Sequence, residues 1–287
     1  MTTTGVKLVS VAELLDKKYF IRSYQRGYRW DENQVHDLLN DFKEFIEIKD
    51  KSEDEFYSLQ PIVVKVISEF EKNNLERFNF KGDTIYEVID GQQRITTITI
   101  LLHFLISRLN PDVIFKKNLP EITYEVRPRS KEILSNFNKY IIDNNETSEI
   151  ENDIDFFHMK MVYDAISKWF ENKSDFYLPF LKLLTAYKIN NVRVIWYEVE
   201  DKENSIDVFR RFNIGKIPLT NAELIKALFL KNDNANNTSL VYSISKEWQS
   251  IENQMQNPFL WSFLNPKKEY TSRIEYLFDL IFEKEKL

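Results

Sequence analysis

The stretch Val88-Ile89-Asp90-Gly91-Gln92-Gln93-Arg94-Ile95-Thr96-Thr97-Ile98 reads as a strand ending in a tight turn, with a helix starting at once. A helix start offers backbone N–H groups without internal partners and a fractional positive charge. Phosphate is the usual occupant of such a place. The plainer reading is a capping box, in which Asp90 and Gln93 satisfy each other's backbone donors. That reading leaves Arg94 unexplained, because the helix dipole opposes a cation in the first turn. Nor does it require Gly91, one of only five glycines in the chain, whose use is close backbone approach or positive φ. An anion site is therefore preferred over a plain cap.

Outward from this turn, the helix runs to about residue 109. Its apolar positions Ile95, Ile98, Ile100, Leu101, Leu102, Phe104, Leu105 and Ile106 go nearly all the way round, which predicts a buried helix. Upstream, the pattern predicts a short helix over 11–15, a strand over 19–21 and a helix capped by Asp31, with Val35, Leu38, Leu39, Phe42, Phe45 and Ile46 at helical spacing. A strand follows over 57–67, in which Pro61 marks a break or an edge. Residues 69–83 read as a hairpin-like excursion before a strand over 84–89. Downstream, a helical insertion covers about 129–190. A strand over 192–199 suits burial on both faces, and a helix over 205–212 comes next. Thr220 and Glu223 form a second capping box for a helix over 222–230, the Asn-rich 232–237 is a linker, and the rest is helical. These elements predict an α+β protein with a small mixed sheet, packed helices, a helical insertion and a helical C-terminal extension. The expected units are 1–231 and 238–287.

Two further clusters carry candidate chemistry. Arg22-Ser23-Tyr24-Gln25-Arg26-Gly27-Tyr28-Arg29-Trp30 packs arginine forks, which suit phosphate oxygens, among aromatic faces that can stack on a base. Taken alone, it is better read as a loop pinned by aromatic anchors, with its arginines paired to nearby acids. Phe209-Arg210-Arg211-Phe212-Asn213-Ile214-Gly215-Lys216 looks like an ordinary helix end, although Arg211 and Lys216 could face an anion. The basic residues Lys116, Lys117, Arg127, Arg129 and Lys131 are read as a solvated face rather than a nucleic-acid contact.

Composition bounds the answer. The chain has 287 residues, 43% hydrophobic and 14% aromatic, so it is ordered and globular. A net charge of −6 argues against a dedicated DNA-binding domain. The absence of cysteine excludes disulfides and thiol catalysis. His36, His103 and His158 are far apart and show no metal-ligand spacing. No signal peptide or membrane-length apolar run is present, so a cytoplasmic protein with no membrane partner is expected.

The segments 24–30, 89–97 and 209–219, in that order and approximate spacing, resemble the N-terminal domain of GmrSD-type restriction endonucleases, which has a ParB/sulfiredoxin-like fold. Residues 248–252, 259–263 and 273–278 resemble the helical region that follows that domain. Arg22 stands where the family often has proline, and Lys216 where some members have the third glycine. The resemblance implies nucleotide binding and hydrolysis used to control cleavage of modified or foreign phage DNA. The family's His-based nuclease half is missing, so a piece of a longer protein or a stand-alone regulatory chain is expected.

On this reading a nucleoside triphosphate is the cofactor, bound by Tyr24, Gln25, Arg26, Gly91, Gln92, Gln93, Arg94, Arg211 and Asn213, with Tyr24 or Trp30 stacking on the base. Arg94 and Arg26 would neutralise charge on the transferred phosphoryl group. Gln92 or Gln93 would orient water. Asp90 would either hold Mg²⁺ or lock Arg26 or Arg94 in place, the second being preferred. DNA is expected as a partner through an associated nuclease, and a homodimer is compatible with this scheme. The rival reading is a nucleotide-gated clamp without turnover, and a third treats all three clusters as caps and loop anchors.

Overall fold

The computed structural model describes residues 5–52, 54–75, 78, 84–109, 119–143, 153–213, 222, 225–226, 229, 238–264, 270 and 272–284. Its centre is a six-stranded mixed sheet of order β1-β6-β3-β4-β2-β5. The strands are β1 (Gly5–Ser10), β2 (Lys18–Ile21), β3 (Phe56–Val66), β4 (Ile85–Asp90), β5 (Glu121–Tyr124) and β6 (Asn191–Glu198). β2 runs parallel to both β4 and β5, and β3 parallel to β6, while β1/β6 and β3/β4 are antiparallel. The fold is therefore α+β with a mixed sheet, compatible with the expected ParB/sulfiredoxin-like topology.

Side-chain alternation with period two splits the sheet into two faces. Tyr19, Ile21, Ile62, Val64, Val88, Val194 and Trp196 join one large core under the helices. Phe20 and Ile85, and separately Val63 and Ile89, face the other way into two smaller clusters. Over the large face lie α2 (Glu32–Glu47), α4 (Gln92–Arg108), α6 (Ile154–Trp169) and α7 (Tyr177–Thr185). The others are α1 (Val11–Leu14), α3 (Glu69–Asn74), α5 (Pro128–Ser135) and α8 (Ser205–Asn213). α9 (Thr238–Met255), α10 (Pro258–Leu264) and α11 (Arg273–Lys284) follow. No described helix is long and apolar enough to cross a membrane.

Local chemistry explains most starts and stops. Asp31 caps α2 in a reciprocal box with Gln34, as its spacing predicts. α4 is buried on almost every side, including Thr96, Thr97 and Thr99. Pro61 marks the expected break rather than an edge, since it sits within the central strand β3 at a register shift between Leu59 and Ile62. Several other expectations are corrected. Within 69–83 the described residues begin with helix α3 rather than a hairpin. The helices of 129–190 pack into the main core, to which Ile133, Phe156, Val162, Phe170 and Phe180 belong. β6 is not covered on both faces throughout, because Ile195 is 40% exposed. The edge strands β1 and β5 were not anticipated. The 220/223 capping pair, the 232–237 linker, Lys116 and Lys117 lie outside the described residues.

Candidate functional site

β2 and β4 are parallel neighbours, so their C-terminal ends open at the same edge of the sheet. That places the loop 22–30 beside the start of α4. Gly91 is the N-cap of α4, with φ +104° and no side-chain cap bond to the helix. A Cβ there would meet Ile62 Cγ1 at 2.9 Å, so both the backbone and the space call for glycine.

The Asp90–Gln93 capping box is overturned. Asp90 turns instead to Arg94, with Oδ2 3.1 Å from Nη2. The glutamines fasten the neighbouring loop. Gln92 Nε2 donates to the Arg26 carbonyl (2.9 Å) and Gln93 Nε2 to the Gly27 carbonyl (2.9 Å), while Gln93 Oε1 accepts from the Arg29 amide (2.8 Å). Gln25 Nε2 donates to the Val88 carbonyl, and Tyr28 Oη bonds Thr97 Oγ1 at 2.7 Å. Main-chain groups that a loop would leave unpaired are thereby satisfied by side chains of the adjoining helix and strand.

Arg94 is almost wholly buried. Its guanidinium donates to Gln60 Oε1 (2.8 Å), to the Pro61 carbonyl and to Asp90, while Nε has no partner. The irregularity in β3 turns the Pro61 carbonyl to this fork, the kind of redirection that strand bulges bring about. Burial lowers the Arg94 pKa, with Asp90 opposing. Gln92 Oε1 is likewise buried without a partner.

Tyr24 is buried, with Oη donating to Glu87 Oε1 (3.1 Å) and its ring edge-on to Phe209 at 5.4 Å. Only 9% of Tyr24 is exposed. Phe209 and Phe212 seat α8 on Val63, Ile89 and Val199, which joins the third cluster to the first. Arg211 is exposed and pairs with Glu203. Asn213 is the last residue of α8, and Gly215 and Lys216 lie outside the described residues. Arg26 and Trp30 are half-buried. Arg22 meets Glu71, Glu87 and Glu125 at 3.3, 3.2 and 3.7 Å. Burial disfavours its charge, but these carboxylates together raise its pKa above the usual value.

A buried charge network on the far side of the loop escaped sequence reading. Arg127, expected on a solvated face, is 1% exposed. Its Nη1 lies 3.2 Å from Asp155 Oδ1, and its Nη2 2.7 Å from Glu252 Oε2 of α9. Arg29 Nη1 also reaches Asp155 (2.7 Å), and its Nη2 stands 3.6 Å from Glu252. Ser130 Oγ donates to Asp155 Oδ2 at 2.6 Å. Burial pushes the Asp155 carboxyl up, but Arg127, Arg29 and Ser130 outweigh it and hold the pKa at about 2. The one available signal was a charged residue between Ile154 and Phe156, inside an otherwise apolar helix start. Among the described residues no group of three or more His, Cys, Asp or Glu is arranged to hold a metal.

The family model for the GmrSD restriction endonuclease N-terminal domain matches residues 11–230. No match to the chain was found among curated proteins. The chain belongs to the GmrSD N-terminal domain family, and is thereby a component of a restriction and phage-defence system.

Proposed function

We propose that this domain binds and hydrolyses a nucleoside triphosphate where the loop 24–30 meets the start of α4, and so controls DNA cleavage by a nuclease partner. The observation that carries the reading is the N-terminus of α4. It starts at a left-handed glycine with no side-chain cap, and its first two residues hold the neighbouring loop in place. Uncapped N–H groups with the dipole behind them favour phosphate oxygens. Gln92 Oε1, buried and without a partner, is the acceptor proposed to orient water. Arg26, in the loop that the glutamines fasten, is the cation proposed for the transferred phosphoryl group. Asp90, engaged by Arg94, takes the locking role, and Mg²⁺ would arrive with the phosphates.

One observation favours a second reading, binding without turnover. Arg94 is already committed to three protein oxygens, so it holds β3 and α4 together rather than standing ready for a phosphoryl group. A nucleotide-gated clamp would need no more than that. A thermal-shift screen of the four ribonucleotides with and without Mg²⁺, followed by phosphate release for any hit, tests both. A shift that Arg26→Ala and Gln92→Ala remove supports the site. Phosphate release then selects hydrolysis, and none selects the clamp. A flat screen sinks both.

A further inference from the structure

Glu252 lies on α9, beyond the residues 11–230 that the family model matches. Yet its carboxylate reaches back between two arginines, 2.7 Å from Arg127 Nη2 and 3.6 Å from Arg29 Nη2. Lys226, 3% exposed, donates to the Gln25 carbonyl within the same loop. Burial pushes the Glu252 carboxyl up, but Arg127, Arg29 and Lys226 act on it together and bring it below the usual range. Arg29 and Arg127 are therefore both shared between Asp155 and Glu252, with Asp153 also acting on Arg127, and of these carboxylates only Glu252 comes from outside the matched segment. The fit is also incomplete. Arg29 Nη2 and Arg127 Nε are buried donors, and Asp153 Oδ2 a buried acceptor, without a hydrogen bond, and buried polar atoms of this kind ordinarily find partners. A carboxylate has two oxygens to offer. A phosphoryl group offers three and more charge, and arginine forks suit it.

We propose that Glu252 is an internal anion seated in a cationic socket of Arg29 and Arg127, and that a phosphate-bearing ligand displaces it and releases α9. The socket backs onto the motif loop, so its occupancy sets whether the C-terminal helices are docked on the domain. This does not depend on nucleotide binding at the start of α4.

The test uses the full chain with inorganic pyrophosphate as probe, by calorimetry and by amide exchange of residues 238–255. Pyrophosphate raises exchange across 238–255 in the unmodified chain. In Glu252→Gln the competing charge is gone, so pyrophosphate binds about tenfold more tightly or better, and exchange in 238–255 is already high without it. Equal or weaker binding by Glu252→Gln overturns the proposal, as does binding that leaves 238–255 protected. If Glu252→Gln fails to fold, the exchange response of the unmodified chain decides alone. ATP in parallel separates the sources. An ATP response lost in Arg26→Ala but unchanged in Glu252→Gln, together with no response to pyrophosphate, keeps the nucleotide reading and discards this one. A pyrophosphate response without any nucleotide response does the reverse.

Discussion

Arg94 and Gly27 show how two motif residues act as structural parts. The Arg94 fork satisfies the Pro61 carbonyl, the Gln60 amide and the Asp90 carboxylate at once. Arg94→Ala takes one charged partner from Asp90 and a donor from Gln60 and from the Pro61 carbonyl, and losing these bonds costs about 1–3 kcal/mol. Arg94→Lys recovers only part of this, because an ammonium cannot reproduce the planar fork. Urea unfolding of the unliganded chain checks it: a residue kept only for ligand would leave the midpoint where it was. Gly27 is packed on Asp155, and a Cβ there would lie 2.0 Å from Oδ1. Gly27→Ala must push Asp155 away from Arg29 and Arg127, so a drop in Tm larger than that of an exposed Gly→Ala change is expected. An unchanged Tm would mean that the loop yields without cost.

At the scale of elements, the loop 22–30 behaves as part of α4, since the Arg29 amide is held by Gln93 Oε1 and the Gly27 carbonyl by Gln93 Nε2. Gln93→Ala should speed hydrogen exchange at the Arg29 amide by about five- to thirtyfold, the effect of losing one or two bonds at ~1 kcal/mol each, while amides in the middle of α4 stay protected. Elements whose cause lies within a turn of chain were legible: Asp31 and Gln34 cap α2 as their spacing says. The same spacing at Asp90 and Gln93 misled, because each side chain found a better partner on another element. The meeting of loop and helix was foreseen as a site from residue types, but its cause is the parallel pairing of β2 and β4, which no local pattern carries. β5, four residues long, is too short to show a period. Arg127 read as surface because its partners Asp155 and Glu252 lie 28 and 125 residues away.

Across the whole molecule, buried titratable groups make stability depend on acidity in two stages. His103, stacked on Phe137 at 4.5 Å, has its pKa lowered to about 4 by burial, against hydrogen bonds to the Asn138 side chain and the Leu134 backbone. His158 is also lowered to about 4, by burial and by Arg29, with Asp155 and Asp31 opposing. Both values lie below the unfolded one of about 6.5. Between pH 6.5 and 4 the unfolded chain therefore binds more protons, and stability falls with pH by up to about 3 kcal/mol per histidine. Asp155, held at about 2, acts in the same direction lower down. Its contribution is complete above the unfolded value of about 3.9 and is lost as pH falls toward 2. Urea midpoints should thus fall from pH 7 to 4 and fall further below 4. Replacing both histidines with leucine should flatten the first stage and leave the second, since Asp155 keeps Arg127 and Ser130 as partners. A double variant that retains the full slope between pH 6.5 and 4 would place the titrating groups elsewhere. A flat second stage would mean that Asp155 is not ionised in the folded chain, and the charge balance behind the Glu252 socket would fall with it.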